Sequence, residues 1–430
     1  MNKLKLGVGR TDITPDIGGN LYGYNPDTYS ESIHDNLRAT AFVFKYNNIT
    51  AVMISVEVCL INTTLAYEIR KTISENHNIP LENILISATH THSGPNTCGQ
   101  LGWGDIDKEY CDKIFIPQIL SAVDNAFKKT VPVKIGCAYG NSYVGINRRE
   151  LREDNIVVLG QQPWACFNPK MTVLSFKDES GDTVANIIHY GAHGTAAGLN
   201  HEITRDWSGI MLDCIETVSG GITAFFNGFE GDVGPRLSNK KTVGNIHYVE
   251  ELGKIAANDA LRIYNQISEF NDCEVNVISG TLNIPYKPRI PLAEAKSGIK
   301  KYEGSTINFT AQSLRYFENI VKSYKEEYIE KNFCEIPQSA IAIGNNIFIG
   351  FSYEVFSEIG LRIQKAIPDK NILPLSNTNG SEGYFPTQDQ LCLGGYEIEM
   401  FKTSDIQTLV DNADWYLMTE TVKNIQSKVR

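Results

Sequence analysis

TAVMISVEVCLINTTLAYEIRKTISENHNIPLENILISATHTH, residues 50–92, is the stretch whose reading decides the fold. Its opening, TAVMISVEVCL, is rich in β-branched residues and strand-length, and it follows a second such run, ATAFVFKY, across an Asn47–Asn48 turn. NTTLAYEIRKTISENHN then takes up helical spacing, with Asn62 or Thr63 as N-cap and Pro80 closing the segment. NILISATHTH returns to a buried strand. A hairpin followed by strand–helix–strand is the signature of an α/β chain with mixed sheets.

Outward from that unit the alternation continues. Residues 107–129 predict a long amphipathic helix bent near Pro117, and MTVLSFKD and TVANIIHYGAH predict a hairpin about the turn ESGD. Helices are expected over 206–218 and 246–267, with the strand ITAFFNG between them. Strands SAIAIG and NIFIGFS flank a second Asn-Asn turn, and the helix EVFSEIGLRIQKAI, the strand NILPLSN and a C-terminal helix from about Ser404 follow. No internal repeat or linker divides the chain. The expected architecture is a single large α/β catalytic domain over residues 1–430, mixed sheets flanked by helices, with the charged segment 291–332 as a helical insertion.

Apolar residues make up 42% and charged residues 21%, enough for a sizeable core. The formal charge of 39 − 50 = −11, without a basic cluster, argues against nucleic acid or an anionic membrane as the main partner. No apolar run reaches 18 residues, so no transmembrane segment is expected. The first residues, MNKLKLGVGRTDITP, lack the apolar core of a signal peptide. Nine scattered cysteines form no CxxC. A cytoplasmic location is the corresponding expectation.

Only eight histidines are present, yet His90 and His92 stand two apart at a strand exit. On a continuing strand both would face the same way, with Thr89 and Thr91 opposite. An isolated His-x-His is evenly balanced between a hydrogen-bonded pair and a metal site. NIIHYGAHGTAAG repeats the arrangement: His193 falls at the exit, and His189, deeper in the strand, is expected to be a satisfied core or supporting histidine. Two such exits shift the balance towards a metal held by His and carboxylate ligands. Other common sites are excluded. There is no GxSxG and no GxxxxGK[ST], HEITR places Arg205 where a zincin helix needs histidine, and GVGRTD lacks the third glycine of a dinucleotide fingerprint. In FFNGFEGDVGPRLSN (225–239), Asp232 either orients a histidine's second nitrogen or bonds its own turn.

Taken in order, GVGRTDITP…YGY, ILISATHTHSGP, GINR, HYGAHGT, NGFEGDVGP, GFSYEVFSEIG and NTNGSEGYFPT…GGYE resemble the motifs of neutral/alkaline non-lysosomal ceramidases, from about Gly7 to Glu397. The resemblance is to that family's catalytic domain, without the C-terminal immunoglobulin-like domain of full-length members. It implies a zinc amidase that cleaves the N-acyl bond of ceramide. Matched residue by residue, it implies Zn2+ ligands at His90, His193, Glu354 and Tyr384, an acid–base catalyst at His92, and a substrate-binding or polarising arginine at Arg148. One departure stands out. The family's GDVSPN loop carries a serine of the catalytic apparatus, and here Gly234 takes its place in GDVGPR, with Arg236 beside it. Gly234 donates no hydroxyl, and Arg236 would suit a substrate bearing a carboxylate or phosphate. The expected partner is therefore a small-molecule N-acyl substrate, ceramide-like or more polar. The alternative is a metal-bearing protein of altered specificity that binds a ligand without turnover.

Overall fold

The computed structural model describes residues 3–304, 308–402 and 405–428. Three mixed sheets form its framework. The first runs Ile84–Ala88, Ile49–Val56, Arg38–Tyr46, Lys5–Asp12, Thr130–Pro132. The second runs Ile222–Asn227, Thr183–Tyr190, Lys170–Lys177, Lys134–Asn141. The third runs Val275–Pro285, Phe333–Ile343, Asn346–Gly350, Asn371–Leu375.

All three repeat one device. An antiparallel hairpin leads through a helix to a strand that pairs parallel with the hairpin's second arm. The crossover helices are Thr63–His77, Asp206–Ser219 and Ser357–Ala366. In each, the parallel pair ends at the same edge, and loops leaving the carboxyl ends of parallel strands are where α/β proteins build sites.

The first crossover helix shows how local sequence sets these elements. Asn62 caps it, its side chain accepting from the N–H groups of Thr64 and Leu65. Leu65, Ala66, Ile69 and Ile73 form its buried stripe, and Asn78 ends it in the left-handed conformation. The bend expected near Pro117 is present as a π turn over Cys111–Phe115 that precedes the helix Ile116–Lys128. A proline ring clashes with the preceding turn, and a π turn is one way a helix accommodates it.

The sheets share one core. Phe42 and Phe44 from the first, Phe176 and Phe226 from the second and Phe348 from the third are all buried in the same cluster. The Phe226 ring lies 6.1 Å from both Phe42 and Phe348. Burying such a ring contributes about 1.5–3 kcal/mol. Ser55 Oγ also donates to Phe225 O at 2.6 Å, tying the first sheet to the second.

The charged segment leaves the strand Val275–Pro285 and returns on its antiparallel neighbour Phe333–Ile343. In between, helices Leu292–Tyr302 and Asn308–Ser323 pack on each other. Three local expectations are corrected. Glu354 does not start a helix: it lies in a two-residue strand with Val355, and the helix begins at Ser357, after Phe356 turns the chain. In the second hairpin turn the left-handed position is taken by Gly344, which has no Cβ to clash, so Asn346 stays in its strand. The C-terminal helix is Ala413–Lys428, and the expected start at Ser404 lies outside the described residues. Among the described residues, no helix is long and apolar enough to cross a membrane.

Candidate active site

The strand carrying the histidine pair ends at Ala88, so strand alternation does not orient His90 and His92. Instead His90 takes φ +69°, a left-handed backbone uncommon outside glycine. It is held there by its N–H donating to Val58 O at 2.9 Å and by Gly194 N–H donating to His90 O at 3.2 Å. The turn brings the two rings edge to face, with centroids 4.8 Å apart and the Nε2 atoms 3.3 Å apart. Such strain of about 1–3 kcal/mol persists where surrounding structure over-determines it.

His193 leaves the second sheet beside it. The ring centroids of His90 and His193 are 4.4 Å apart. Glu354, from the two-residue strand that follows the third sheet's Asn346–Gly350, places Oε2 3.3 Å from His90 Nε2 and 3.1 Å from His193 Nε2. All three residues are buried. The other nitrogen of each ring is committed: His90 Nδ1 donates to Cys59 O at 2.9 Å, and His193 Nδ1 donates to Glu230 O and Val233 O at 3.0 and 3.1 Å. With those protons on Nδ1, both Nε2 atoms turn lone pairs towards a carboxylate oxygen. His193 Nε2 and Glu354 Oε2 have no hydrogen-bond partner despite their closeness. Three converging ligand atoms, two imidazole nitrogens and a carboxylate oxygen, fit a divalent cation of the zinc type, whose usual ligands are neutral imidazole and carboxylate. Burial pushes the Glu354 carboxyl up, but His90 and His193 outweigh it and hold the group well below the usual carboxylate range. Burial, with Arg148 and His90 nearby, pushes His193 down to about 3.

His92 has a different setting. Its Nδ1 donates to Gly23 O at 3.1 Å, leaving Nε2 as an acceptor at the cluster. Gly23, at φ +128°, permits this approach, because a Cβ there would lie 2.4 Å from His92 Nδ1. Burial first, then the two neighbouring histidines, holds the His92 ring well below its ordinary pKa and so neutral.

Tyr384 pairs with Glu354 in a two-residue parallel ladder, and its Oη accepts from Arg148 Nη2 at 3.0 Å. Arg148 Nε donates to Glu397 Oε1 at 2.9 Å, while Arg149 Nη1 takes Glu397 Oε2 at 2.6 Å. Glu397, 1% exposed, thus bridges two buried arginines. No hydrogen bond to a described residue occupies Arg148 Nη1. Beside His92 and Arg148 opens a chamber of about 260 Å3, lined also by Tyr24, Trp103, Leu199 and Tyr396. A larger groove of about 750 Å3 lies between the helical pair and the helix Tyr396–Lys402, and no histidine lines it.

The loop 225–239 departs from expectation. Asp232 orients no histidine. It accepts from Ser357 N at 2.7 Å, Ser357 Oγ at 3.2 Å and Asn147 Nδ2 at 3.0 Å, so it ties the crossover helix to the short strand Gly145–Asn147 that precedes Arg148. Backbone carbonyls of its own loop orient His193 instead. Gly234 pairs with Ile146 in a short ladder beside Arg148. Arg236 points away: its guanidinium sits over the Tyr143 and Phe167 rings, and it does not line the chamber. His189 is buried as expected, with Nε2 donating to Pro374 O at 2.8 Å. The sequence reading did not single out Glu230, buried behind His193 with one carboxylate oxygen unpartnered, or Asn377, which donates to Glu230 Oε1 at 2.7 Å. Their only sequence-level trace is that Glu230 lies in NGFEGDVGP and Asn377 opens NTNGSEGYFPT, two motifs of the resemblance.

Residues 4–246 match the family model described as neutral/alkaline non-lysosomal ceramidase, N-terminal. Neutral ceramidase A of Dictyostelium discoideum is 30% identical over 255 residues, 54% of this chain and 36% of that protein. A Mycobacterium tuberculosis neutral ceramidase is 27% identical over 264 residues, 54% of this chain and 40% of that protein. The matched stretch thus spans well under half of these relatives' length. The crystal structure of the Pseudomonas aeruginosa neutral ceramidase superposes with a TM-score of 0.76 at 18% identity, covering 99% of this chain and 75% of that one. That likeness is one of fold and extends past the family-model match to the third sheet.

Proposed function

The chain belongs to the neutral/alkaline non-lysosomal ceramidase family, and from that premise we propose that it is a zinc-dependent hydrolase of an N-acyl bond, with a ceramide-like lipid as its substrate. The observation that carries this reading is the convergence of three buried ligand atoms, His90 Nε2, His193 Nε2 and Glu354 Oε2. These three residues, with Tyr384 beside Glu354, would hold the metal. When bound, zinc supplies Lewis acidity towards an amide carbonyl and makes a water acidic near neutral pH.

The chain's own groups do the rest. His92, neutral and with Nε2 facing the cluster, takes the proton of the attacking water and returns it to the departing amine nitrogen. Arg148, fixed by Glu397 and Tyr384, keeps Nη1 for the oxygen on which negative charge develops. Tyr24, Trp103, Tyr396 and Leu199 give the chamber an aromatic and aliphatic wall. With Arg236 turned outward, the argument for an anionic substrate lapses, and an N-acyl lipid suits the lining better. A chamber of about 260 Å3 lies just below the ~300–1,000 Å3 of typical ligand pockets, so it encloses the amide and its flanks while longer chains pass out along exposed Leu159 and Leu199. All nine cysteines are unpaired, which favours a reducing, cytoplasmic setting.

Elemental analysis of the wild type and His90→Ala, with hydrolysis of ceramide and simple N-acyl amines, tests the proposal. About one zinc per chain, lost in the variant together with hydrolysis, is expected. A wild type that takes up no zinc on reconstitution would overturn it.

A further inference from the structure

Thr242 belongs to no motif of the sequence reading, yet it lines the chamber with His92, Arg148 and Tyr384. It is 3% exposed, and its hydroxyl bonds to no described residue. Its position follows from Gly234. A Cβ on residue 234 would lie 2.6 Å from Thr242 Cβ, 2.8 Å from Thr242 Cγ2 and 3.4 Å from Arg148 Cβ. Side chains at 234 and 242 therefore compete for one volume next to Arg148, and with glycine at 234 threonine occupies it. Its methyl rests on the glycine, which leaves the hydroxyl to the chamber.

The segment is fixed against the His193 loop. Thr195 Oγ1 donates to Thr242 O at 2.7 Å, and Gly244 N–H donates to Thr195 O at 3.3 Å. Gly198 lets it come this close, since a Cβ there would meet Gly244 O at 2.0 Å. A hydroxyl with a fixed backbone, an enclosed position and no partner among the described residues is arranged to bond something else.

We propose that Thr242 is a substrate-binding residue whose hydroxyl hydrogen-bonds the polar group adjoining the scissile amide, supplying from residue 242 what glycine at 234 cannot. This deepens the hydrolase reading and rests on it for the identity of the substrate. A site built to bond a polar group discriminates strongly once that bond is removed.

The test uses Thr242→Val, Thr242→Ser and the exchange Gly234→Ser/Thr242→Ala in the zinc-reconstituted full chain. Hydrolysis of N-acyl amines is measured together with binding of octanohydroxamic acid, a chelating amide analogue that needs no turnover. Thr242→Val should lower kcat/KM about 10–100-fold and weaken the hydroxamate several-fold, Thr242→Ser should stay within about 3-fold of wild type, and the exchange should recover most of the loss. Gly234→Ser alone should lower the melting temperature, and adding Thr242→Ala should restore it. Wild-type hydroxamate binding by Thr242→Val overturns the inference. A wild type that hydrolyses no N-acyl compound overturns the hydrolase reading instead, and hydroxamate binding then still decides the role of Thr242.

Discussion

Replacing Glu397 with glutamine keeps the shape of a buried side chain and removes its charge. Glu397 is 1% exposed and takes Arg148 Nε on one oxygen and Arg149 Nη1 on the other. In Glu397→Gln one of those positions becomes an NH2 facing a guanidinium, donor against donor, and the trio passes from a charge of +1 to +2 with no solvent to screen it. Breaking a buried ion pair in this way costs about 3–5 kcal/mol. At ~2.1 cal/mol/K of unfolding entropy per residue, a chain of 430 residues carries about 0.9 kcal/mol/K, so the melting temperature should fall by roughly 3–6 °C. Arg148 also loses the anchor that aims Nη1 into the chamber, and a misplaced oxyanion donor typically costs about 10²–10³ in kcat. Calorimetry of the zinc-loaded variant and its steady-state hydrolysis of an N-acyl amine give the two numbers. A melting point within 1 °C of wild type together with unchanged kcat would refute the assignment of Glu397 as the residue that positions Arg148.

Two further outcomes follow from the geometry. Burial pushes His189 down to about 4 from 6.5, so between those values the unfolded chain binds a proton that the folded chain does not. Stability should therefore fall as pH drops through that window, by about 2.5 kcal/mol at pH 4.5, and His189→Gln should remove that part of the loss in urea titrations at pH 7 and 4.5. An identical acid loss in the variant would contradict it. A Cβ on Gly231 would lie 2.4 Å from Glu354 O, so Gly231→Ala should displace Glu354 and weaken zinc binding about 10–100-fold by calorimetric titration. Unchanged affinity would show that the carboxylate tolerates the shift.

The sequence was most informative where a residue's effect is local. Asn62 as a helix cap and Pro117 as a helix disturbance act within one turn, and both have structural counterparts where they were expected. The histidine pair was located by sound attention to a strand exit but through the wrong geometry. No pattern of apolar residues announces that a non-glycine residue will turn left-handed at position 90. Glu354 and Tyr384 were reached through family resemblance alone, because they meet in a two-residue ladder beyond the third sheet's strands and nothing nearby in sequence marks either. Asp232, for which two readings stood open, and Arg236 were hard to place for a related reason: both sit in a loop rich in small residues, where side-chain direction depends on which distant strand the loop meets. Thr242 was invisible because its role depends on a missing atom, the Cβ of Gly234, whose volume it fills. The strand Val275–Pro285 also went unread, since polar residues at every second or third place and Gly280 dilute its apolar signal.

The recurrence of hairpin, crossover helix and parallel strand has a consequence for biosynthesis. His90, His193 and Glu354 each hang from a different copy of that device, and Tyr384 lies beyond the last strand of the third. A nascent chain that has completed the first copy owns a histidine pair but neither His193 nor Glu354 to share a cation with. After the second it has histidines without a carboxylate. Only when the ribosome has released the chain beyond residue 384 can the full proposed set close, so a metal held there would be the last component to arrive and would clip together three pieces made at different times. Premature termination before Glu354 would leave a protein able to build two of its three sheets and lacking the carboxylate of the proposed metal set.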